Sequence, residues 1–438
     1  MLRKPLTIVV VALVAGVVVP ADPAGAAPTC FGKRATIVGT NRDPLKSVEL
    51  NGTRRNDVIV SLAGSDVING RGGDDLICGG GGYDYIKAGA GKDRVKGQGG
   101  QDTLYGGDGS DRMWGGANTD FLGGGRGKDR MFGGAGTEDR LMGGRGNDIM
   151  DGGDGYDLAE FWDSPAGIEA DLRTDTATGH GQDRIASIEG LIGSDFDDVL
   201  YGDDLSNELQ GGDGNDIIHG FGSDADGGVD ILRSSGGDNI LDGGDGPDIV
   251  SYNLNPWSVT VDLATGKTTS DFGTDTLVGI EHVVGSREND TLIGNDEDNI
   301  IFGSAGDDFM DGRGGVDEVA FDDSRMPVTA DLGAGTAEAD WWGSDTFVNF
   351  ENMAGSSWRD VLTGDDGANL IRGWSRNDIL VGLGGNDQLI GGLGTDNADG
   401  GDGIDECEAE VHNCEITILS ASGSASSWFS RATWRWEL

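Results

Sequence analysis

From Gly70 to Glu160 the chain repeats itself every nine residues, disturbed once by an extra residue near Glu138. A nine-residue unit is too short to hold a core of its own, so the period demands a stack in which each unit is buried by its neighbours. GGxGxD occurs without deviation at Gly79 to Asp84, Gly106 to Asp111, Gly124 to Asp129, Gly143 to Asp148 and Gly152 to Asp157, and later copies begin at Gly211, Gly243, Gly391 and Gly400. Two residues after each aspartate of the first array comes one apolar side chain: Ile77, Ile86, Val95, Leu104, Met113, Leu122, Met131, Leu141 and Met150. One inward residue per unit predicts a strand of about three residues, with stacked strands satisfying one another's hydrogen bonds.

The turns have a chemistry of their own. Glycine tolerates positive φ and leaves carbonyls uncovered, so six residues can wrap a turn whose oxygens converge, and the aspartate adds a carboxylate there. Mixed carbonyl and carboxylate oxygens suit calcium, a hard ion tolerant of irregular geometry. The composition asks for such a cation: 31 Lys and Arg face 77 Asp and Glu, a net charge of −46, on a chain with 81 glycines and few aromatics. Without a counter-ion that balance predicts disorder, and it repels nucleic acid and anionic membranes alike. Zinc is disfavoured, because His180, His219, His282 and His412 are scattered, with no HExxH or paired Cys and His spacing.

The repeated GGxGxD turn followed by an inward apolar residue resembles the RTX, or hemolysin-type, calcium-binding repeats. The resemblance implies an all-β fold, a parallel β-roll or β-helix solenoid in which two nonamers make one coil and calcium sits between successive turns. On that pattern Asp84, Asp102, Asp120 and Asp139 line one edge, and Asp93, Asp111, Asp129 and Asp148 the other. The expected ligands to multiple calcium ions are these with Asp75, Asp157, Asp216, Asp248, Asp308, Asp317, Asp387, Asp396 and Asp405. Backbone oxygens would come from Gly79, Gly80, Gly82, Gly106, Gly107, Gly109, Gly124, Gly125, Gly127, Gly143, Gly144, Gly146, Gly152, Gly153 and Gly155. In the later copies they would come from Gly211, Gly212, Gly214, Gly243, Gly244, Gly246, Gly391, Gly392, Gly394, Gly400, Gly401 and Gly403. Asn118, in place of a turn glycine, and the insertion at Glu138 predict weaker sites.

Beyond Asp157 a longer unit recurs three times. Pro165, Asp171, Asp183, Glu189, Gly193-Ser194, Asp198, Gly202 and Asn207 are matched by Pro256, Asp262, Asp275, Glu281, Gly285-Ser286, Asp290, Gly294 and Asn299. Pro327, Asp331, Asp345, Glu351, Gly355-Ser356, Asp360, Gly364 and Asn369 form the third copy. Each returns to calcium-type turns, at Asp216, Asp308 and Asp378, and the unit resembles the spacers that join RTX arrays. Trp374-Ser375-Arg376 stands where turn glycines belong and argues against a site there, and 41–50 breaks the expected start of the first coil. The expected division is a signal at 1–26, a cap at 27–50, the array at 51–160, spacers with their turns at 161–247, 248–316 and 317–405, a disulfide cap at 406–419 and a tail at 420–438.

Arg3 and Lys4, the apolar run Leu6 to Val19 and small residues to Ala26 read as a Sec-type export signal, too short to span a bilayer, so a secreted protein is expected. Four cysteines in an oxidising compartment allow three pairings, and position favours Cys30 with Cys78 and Cys407 with Cys414. No GxSxG, P-loop or CxxC is present, and 77 acidic residues make neighbouring carboxylates uninformative about catalysis. No catalytic or cofactor-binding residues are expected, and Trp428, Trp434 and Trp436 in the tail carry no assigned role. In steps of 18, Arg94, Arg112 and Arg130 fall on one outer face beside Lys96, Trp114 and Phe132, a stripe that would suit a cell-wall or extracellular glycan but that also fits ordinary outward strand positions. The reading is a secreted calcium-binding structural or adhesive protein, with a polysaccharide lyase or epimerase on a calcium-stabilised β-helix as the alternative.

Overall fold

A computed structural model of the chain describes residues 27–39, 46–222, 228–409, 411–414 and 416–417; the expected export signal, much of the irregular start at 41–50 and the C-terminal tail lie outside the described residues. Two parallel sheets run the length of the described chain, and successive strands alternate between them. Tyr85–Gly91, Thr103–Gly109 and Phe121–Gly127 pair side by side in one sheet, and Arg94–Gly99, Arg112–Ala117 and Arg130–Ala135 in the other. Two nonamers therefore close one coil, because residue n stands beside residue n+18.

From Leu76 to Asp154 the strands of the first array are six or seven residues long, where three were expected. The difference lies in the turns: Gly107 pairs with Gly89 and Gly125, so backbone pairing in register carries on into the glycines. Gly107 shows why the residue must be glycine, since its φ is +108° and a Cβ would stand 2.0 Å from the carbonyl oxygen of Gly89. Inside, one apolar residue per strand makes the core, and Ile77, Ile86, Val95, Leu104, Met113, Leu122, Met131, Leu141 and Met150 are all fully buried. Lateral stacking of identical rungs thus gives a thin column of core without any helix; the one helical element among the described residues is a single 3₁₀ turn, Leu172–Thr174.

Each longer unit inserts a three-stranded antiparallel meander into one sheet only. In the first, Ile149–Asp154 pairs with Gln182–Ala186, which pairs back through Thr176–Thr178 to Glu169–Asp171, and this last strand meets Val199–Tyr201. On the opposite sheet Leu158–Glu160 pairs directly with Gly190–Ile192. The same arrangement recurs at Val259–Asp262 with Lys267–Ser270 and at Val328–Asp331 with Thr336–Ala339. One face therefore gains two strands per module over the other, and large side chains, Phe161, Tyr252, Phe321, Phe347 and Phe350, are buried at these places.

Cys30 is bonded to Cys78 and Cys407 to Cys414. The first disulfide lies on the outer face, where Cys30, Val60 and Cys78 form a small cluster of their own. It holds the hairpin Thr29–Arg34 against the first rungs. The second joins Cys407, a core residue on the last rungs, to the strand-flanking Cys414 and closes that end of the column.

Candidate metal centres along the turn edges

The aspartate that ends each turn is buried and makes two kinds of contact with its oxygens. One oxygen, Oδ1, accepts the backbone N–H of the aspartate one coil back: Asp84 from Asp66, Asp102 from Asp84, Asp120 from Asp102, Asp139 from Asp120 and Asp157 from Asp139, at 2.7–2.9 Å. On the other edge Asp75, Asp93, Asp111, Asp129 and Asp148 accept in the same way at 2.7–2.8 Å. These two ladders are the two edges expected from the resemblance. The inserted Glu138 leaves its ladder intact, since Asp120 N–H still meets Asp139 at 2.7 Å, and Asn118 takes the glycine-like φ of +74°.

The other oxygen, Oδ2, is buried with no hydrogen-bond donor in eleven consecutive turns, from Asp66 to Asp157. The same holds at Asp230, Asp248, Asp308, Asp317, Asp378 and Asp387. A buried carboxylate oxygen facing no donor is costly unless a cation meets it. The first glycine of each turn keeps that space open: a Cβ on Gly106 would stand 2.6 Å from Asp111 Oδ2 and 2.7 Å from the carbonyl oxygen of Gly124, one coil on. Gly97 has the same surroundings, Asp102 Oδ2 and the Gly115 carbonyl. Each turn thus brings together a carboxylate oxygen and a carbonyl oxygen from the next coil, a donor set that fits a hard divalent ion such as calcium. Among the described residues no three His, Cys, Asp or Glu side chains converge, so an ion held here would take much of its shell from the backbone.

The electrostatics point the same way. Burial pushes the carboxyls of Asp120 and Asp148 up to about 8 and those of Asp75, Asp84 and Asp111 up to about 7. The N–H from the preceding coil pulls each down, while carboxylates one coil above and below push it up again, as Asp102 and Asp139 do to Asp120. Burial, with Asp345 and Asp290 beside it, pushes Asp308 up to about 9. A column of like charges in a dry edge is poised to be neutralised, by protons or by a metal ion.

Of the residues expected from sequence, Asp75 to Asp157 occupy one continuous double ladder, and Asp248, Asp308, Asp317 and Asp387 have the same geometry in shorter stretches. Asp216 accepts from Asp198 at 2.9 Å, and Asp396 and Asp405 accept from Asp378 and Asp387. Asp66 and Asp230 belong to the set although the GGxGxD motif omits them. Stepping nine residues back from Asp75, or eighteen back from Asp248, finds both. Asp378 shares this geometry: it accepts the N–H of Asp360 at 2.8 Å, and Trp374 and Arg376 adopt φ of +68° and +74°, so the turn keeps its shape without its glycines.

Two comparisons bear on these turns. The family model for the RTX calcium-binding nonapeptide repeat, which spans four copies, matches residues 51–86, 87–122, 123–159, 192–222, 224–254, 284–319 and 375–407, more than half of the chain. No curated protein matches it. The matched stretches contain the open turns of both ladders and leave the three meanders outside. The chain belongs to the RTX family of calcium-binding nonapeptide repeats.

Proposed function

We propose that the chain is an exported rod that calcium sets into shape outside the cell, where it serves as a structural or adhesive surface and not as an enzyme. The observation that carries this reading is the double ladder of buried carboxylates, each with one oxygen facing no donor. Charges so placed hold the coils apart by repulsion where calcium is scarce and bind them together where it is plentiful, so metal binding and folding become one event. Extracellular calcium modules bind at roughly 10⁻⁴ to 10⁻³ M, concentrations met outside cells and not in the cytosol. The buried aspartates of the turns are committed to the ladders, which is why we assign them no proton-transfer role. Among the described residues no helix is long and apolar enough to cross a membrane.

Among the described residues the surface offers a basic stripe for a partner. Arg94, Arg112 and Arg130 are lateral neighbours in the sheet, with Lys96, Trp114 and Phe132 in the next row. The aromatic faces are turned to one another: Trp114 and Phe132 stack at 5.7 Å, and Phe31, from the disulfide-held hairpin, meets Trp114 at 5.4 Å and Arg94 at 4.0 Å. Stacking of sugar rings on this row is therefore disfavoured. The exposed Arg112 and Arg130 suit an anionic glycan or wall polymer instead. Circular dichroism with and without a chelator tests the folding claim, with loss of strand signal on chelation expected and an unchanged signal contradicting it. Calcium-dependent retention on anionic glycans that Arg112→Glu with Arg130→Glu abolishes is expected of an adhesive rod, and new unsaturated sugar ends would show an enzyme instead.

A further inference from the structure

The three modules break the ladders with turns of a different chemistry. In each, a serine follows the first glycine of the turn, and its hydroxyl donates to the turn's aspartate: Ser194 to Asp198, Ser286 to Asp290 and Ser356 to Asp360, all at 2.8 Å to Oδ1. The N–H of the same serine donates to Oδ2 at 2.5–2.6 Å. Both oxygens are thus served from within the turn, and none of these three aspartates has a buried oxygen without a partner.

Half a coil later an asparagine holds the aspartate's place. The amide oxygens of Asn207, Asn299 and Asn369 accept the N–H of Asp203, Asn295 and Asp365. Their Nδ2 groups donate to the backbone carbonyls of Glu189, Glu281 and Glu351, at 3.2, 2.8 and 2.8 Å. The amide oxygen therefore stands where the open turns have Oδ2, 2.3–2.4 Å from a Cβ placed on Gly202, Gly294 or Gly364, and there it already has an N–H donor from its own turn. The glutamates in turn end the preceding ladder, because the side chains of Glu189, Glu281 and Glu351 accept the last N–H, from Asp157, Asp248 and Asp317, at 2.8–2.9 Å.

We infer that these six turns are closed to calcium by their own serine hydroxyls and asparagine amides, so that the three modules are joints which set without metal and divide the rod into separately calcium-gated stretches. The inference rests on the reading that calcium fills the open turns. A neutral amide brings no charge to the turn, and its oxygen and N–H groups are already satisfied by hydrogen bonds within the protein, so each asparagine turn offers a cation far less than a carboxylate does. Each module also carries a bulkier buried core than the array, with Phe161, Tyr252, Phe321 and Phe347 in place of single aliphatic residues. Stability in stacked-repeat proteins is a sum over repeats and their neighbours, so such joints offer surfaces from which the calcium-dependent coils zip up.

Hydrogen–deuterium exchange on the full chain, in excess chelator and in 10 mM calcium, tests this. In chelator, amides of the module strands Val199–Tyr201, Thr291–Ile293 and Val361–Thr363 should exchange about a hundredfold more slowly than those of Arg112–Ala117 and Arg130–Ala135, with the gap closing in calcium. Modules and array opening together in chelator would overturn the inference and leave the calcium reading standing. If calcium changed neither, the calcium reading itself would fall. As a second readout, Asn299→Asp replaces the neutral amide by a carboxylate in line with Asp317, and calorimetry with metal analysis should find additional calcium per chain. A folded variant with unchanged calcium content would contradict closure by the amide.

Discussion

Replacing Asp111 separates the two jobs of a ladder carboxylate. Its Oδ1 accepts the N–H of Asp93 at 2.8 Å, and its Oδ2 is buried with no donor. Asp111→Asn, with its amide oxygen turned to Asp93, keeps an acceptor for that N–H and removes the charge. Asp111→Ala removes both. In 10 mM calcium, a site with a dissociation constant near 10⁻⁴ M contributes about 2.7 kcal/mol, which either variant forfeits. Alanine should lose a further ~1–3 kcal/mol for the orphaned Asp93 N–H. Without calcium the order of wild type and asparagine should reverse. Burial pushes the Asp111 carboxyl from 3.8 up to about 7, so holding it ionised at pH 8 costs up to ~4 kcal/mol, or roughly 2 kcal/mol after solvent screening, and asparagine escapes that cost. Urea unfolding followed by circular dichroism reads both conditions, with trimethylamine N-oxide added to the calcium-free samples to favour the compact state. Asparagine costing the same with and without calcium would refute the assignment of Oδ2 to a cation, and alanine matching asparagine in both would refute the role of Oδ1.

Protons should partly replace calcium. The ladder carboxyls have folded values raised above the unfolded 3.8, to about 6 at Asp93 and about 8 at Asp120, so in chelator the fold is favoured at acid pH and loses stability as pH rises from about 4 through 8, which a pH series of strand signal checks. Gly107→Ala adds a Cβ 2.0 Å from the Gly89 carbonyl at a φ of +108°, and a loss of at least ~2 kcal/mol in calcium is expected by thermal unfolding. Reduction of Cys30–Cys78, which spans 48 residues, should cost roughly 2–4 kcal/mol and free the hairpin that carries Phe31, read as a change in Trp114 fluorescence. Because each meander adds two strands to one face, at ~4.8 Å per strand, small-angle scattering should show a bent rod, and a straight one would count against unequal faces.

The repeat was readable because the physics of the array is local in sequence. A side chain every nine residues reports its own inward position, so the core from Ile77 to Met150 follows from spacing, while both aspartate edges needed the coil of two nonamers that the resemblance implied. What spacing does not carry is the direction of a side-chain group. Nothing in the motif told that Asn299 would aim its amide at the Glu281 carbonyl, or that Ser286 would close Asp290. The module's repeated residues were visible, yet the antiparallel meander was not, because short β-rich stretches such as Val259–Asp262 and Lys267–Ser270 look alike whichever way they pair. Phe31 was equally hidden, since only the hairpin's fold brings it against Trp114, far along the chain. Asp66 was missed for a simpler cause: its turn has Ser61 and Leu62 where the motif has glycines, although the nine-residue step reaches it.

Whether calcium occupies the open turns decides how this rod folds. Metal analysis of the chain after exhaustive dialysis against 1 mM calcium, with a matched chelator-treated control, measures this directly. Several tightly held calcium ions per chain are predicted, with the number falling when Asp111 and Asp120 are both changed to asparagine. Calcium content no higher than the dialysis buffer supplies would contradict it.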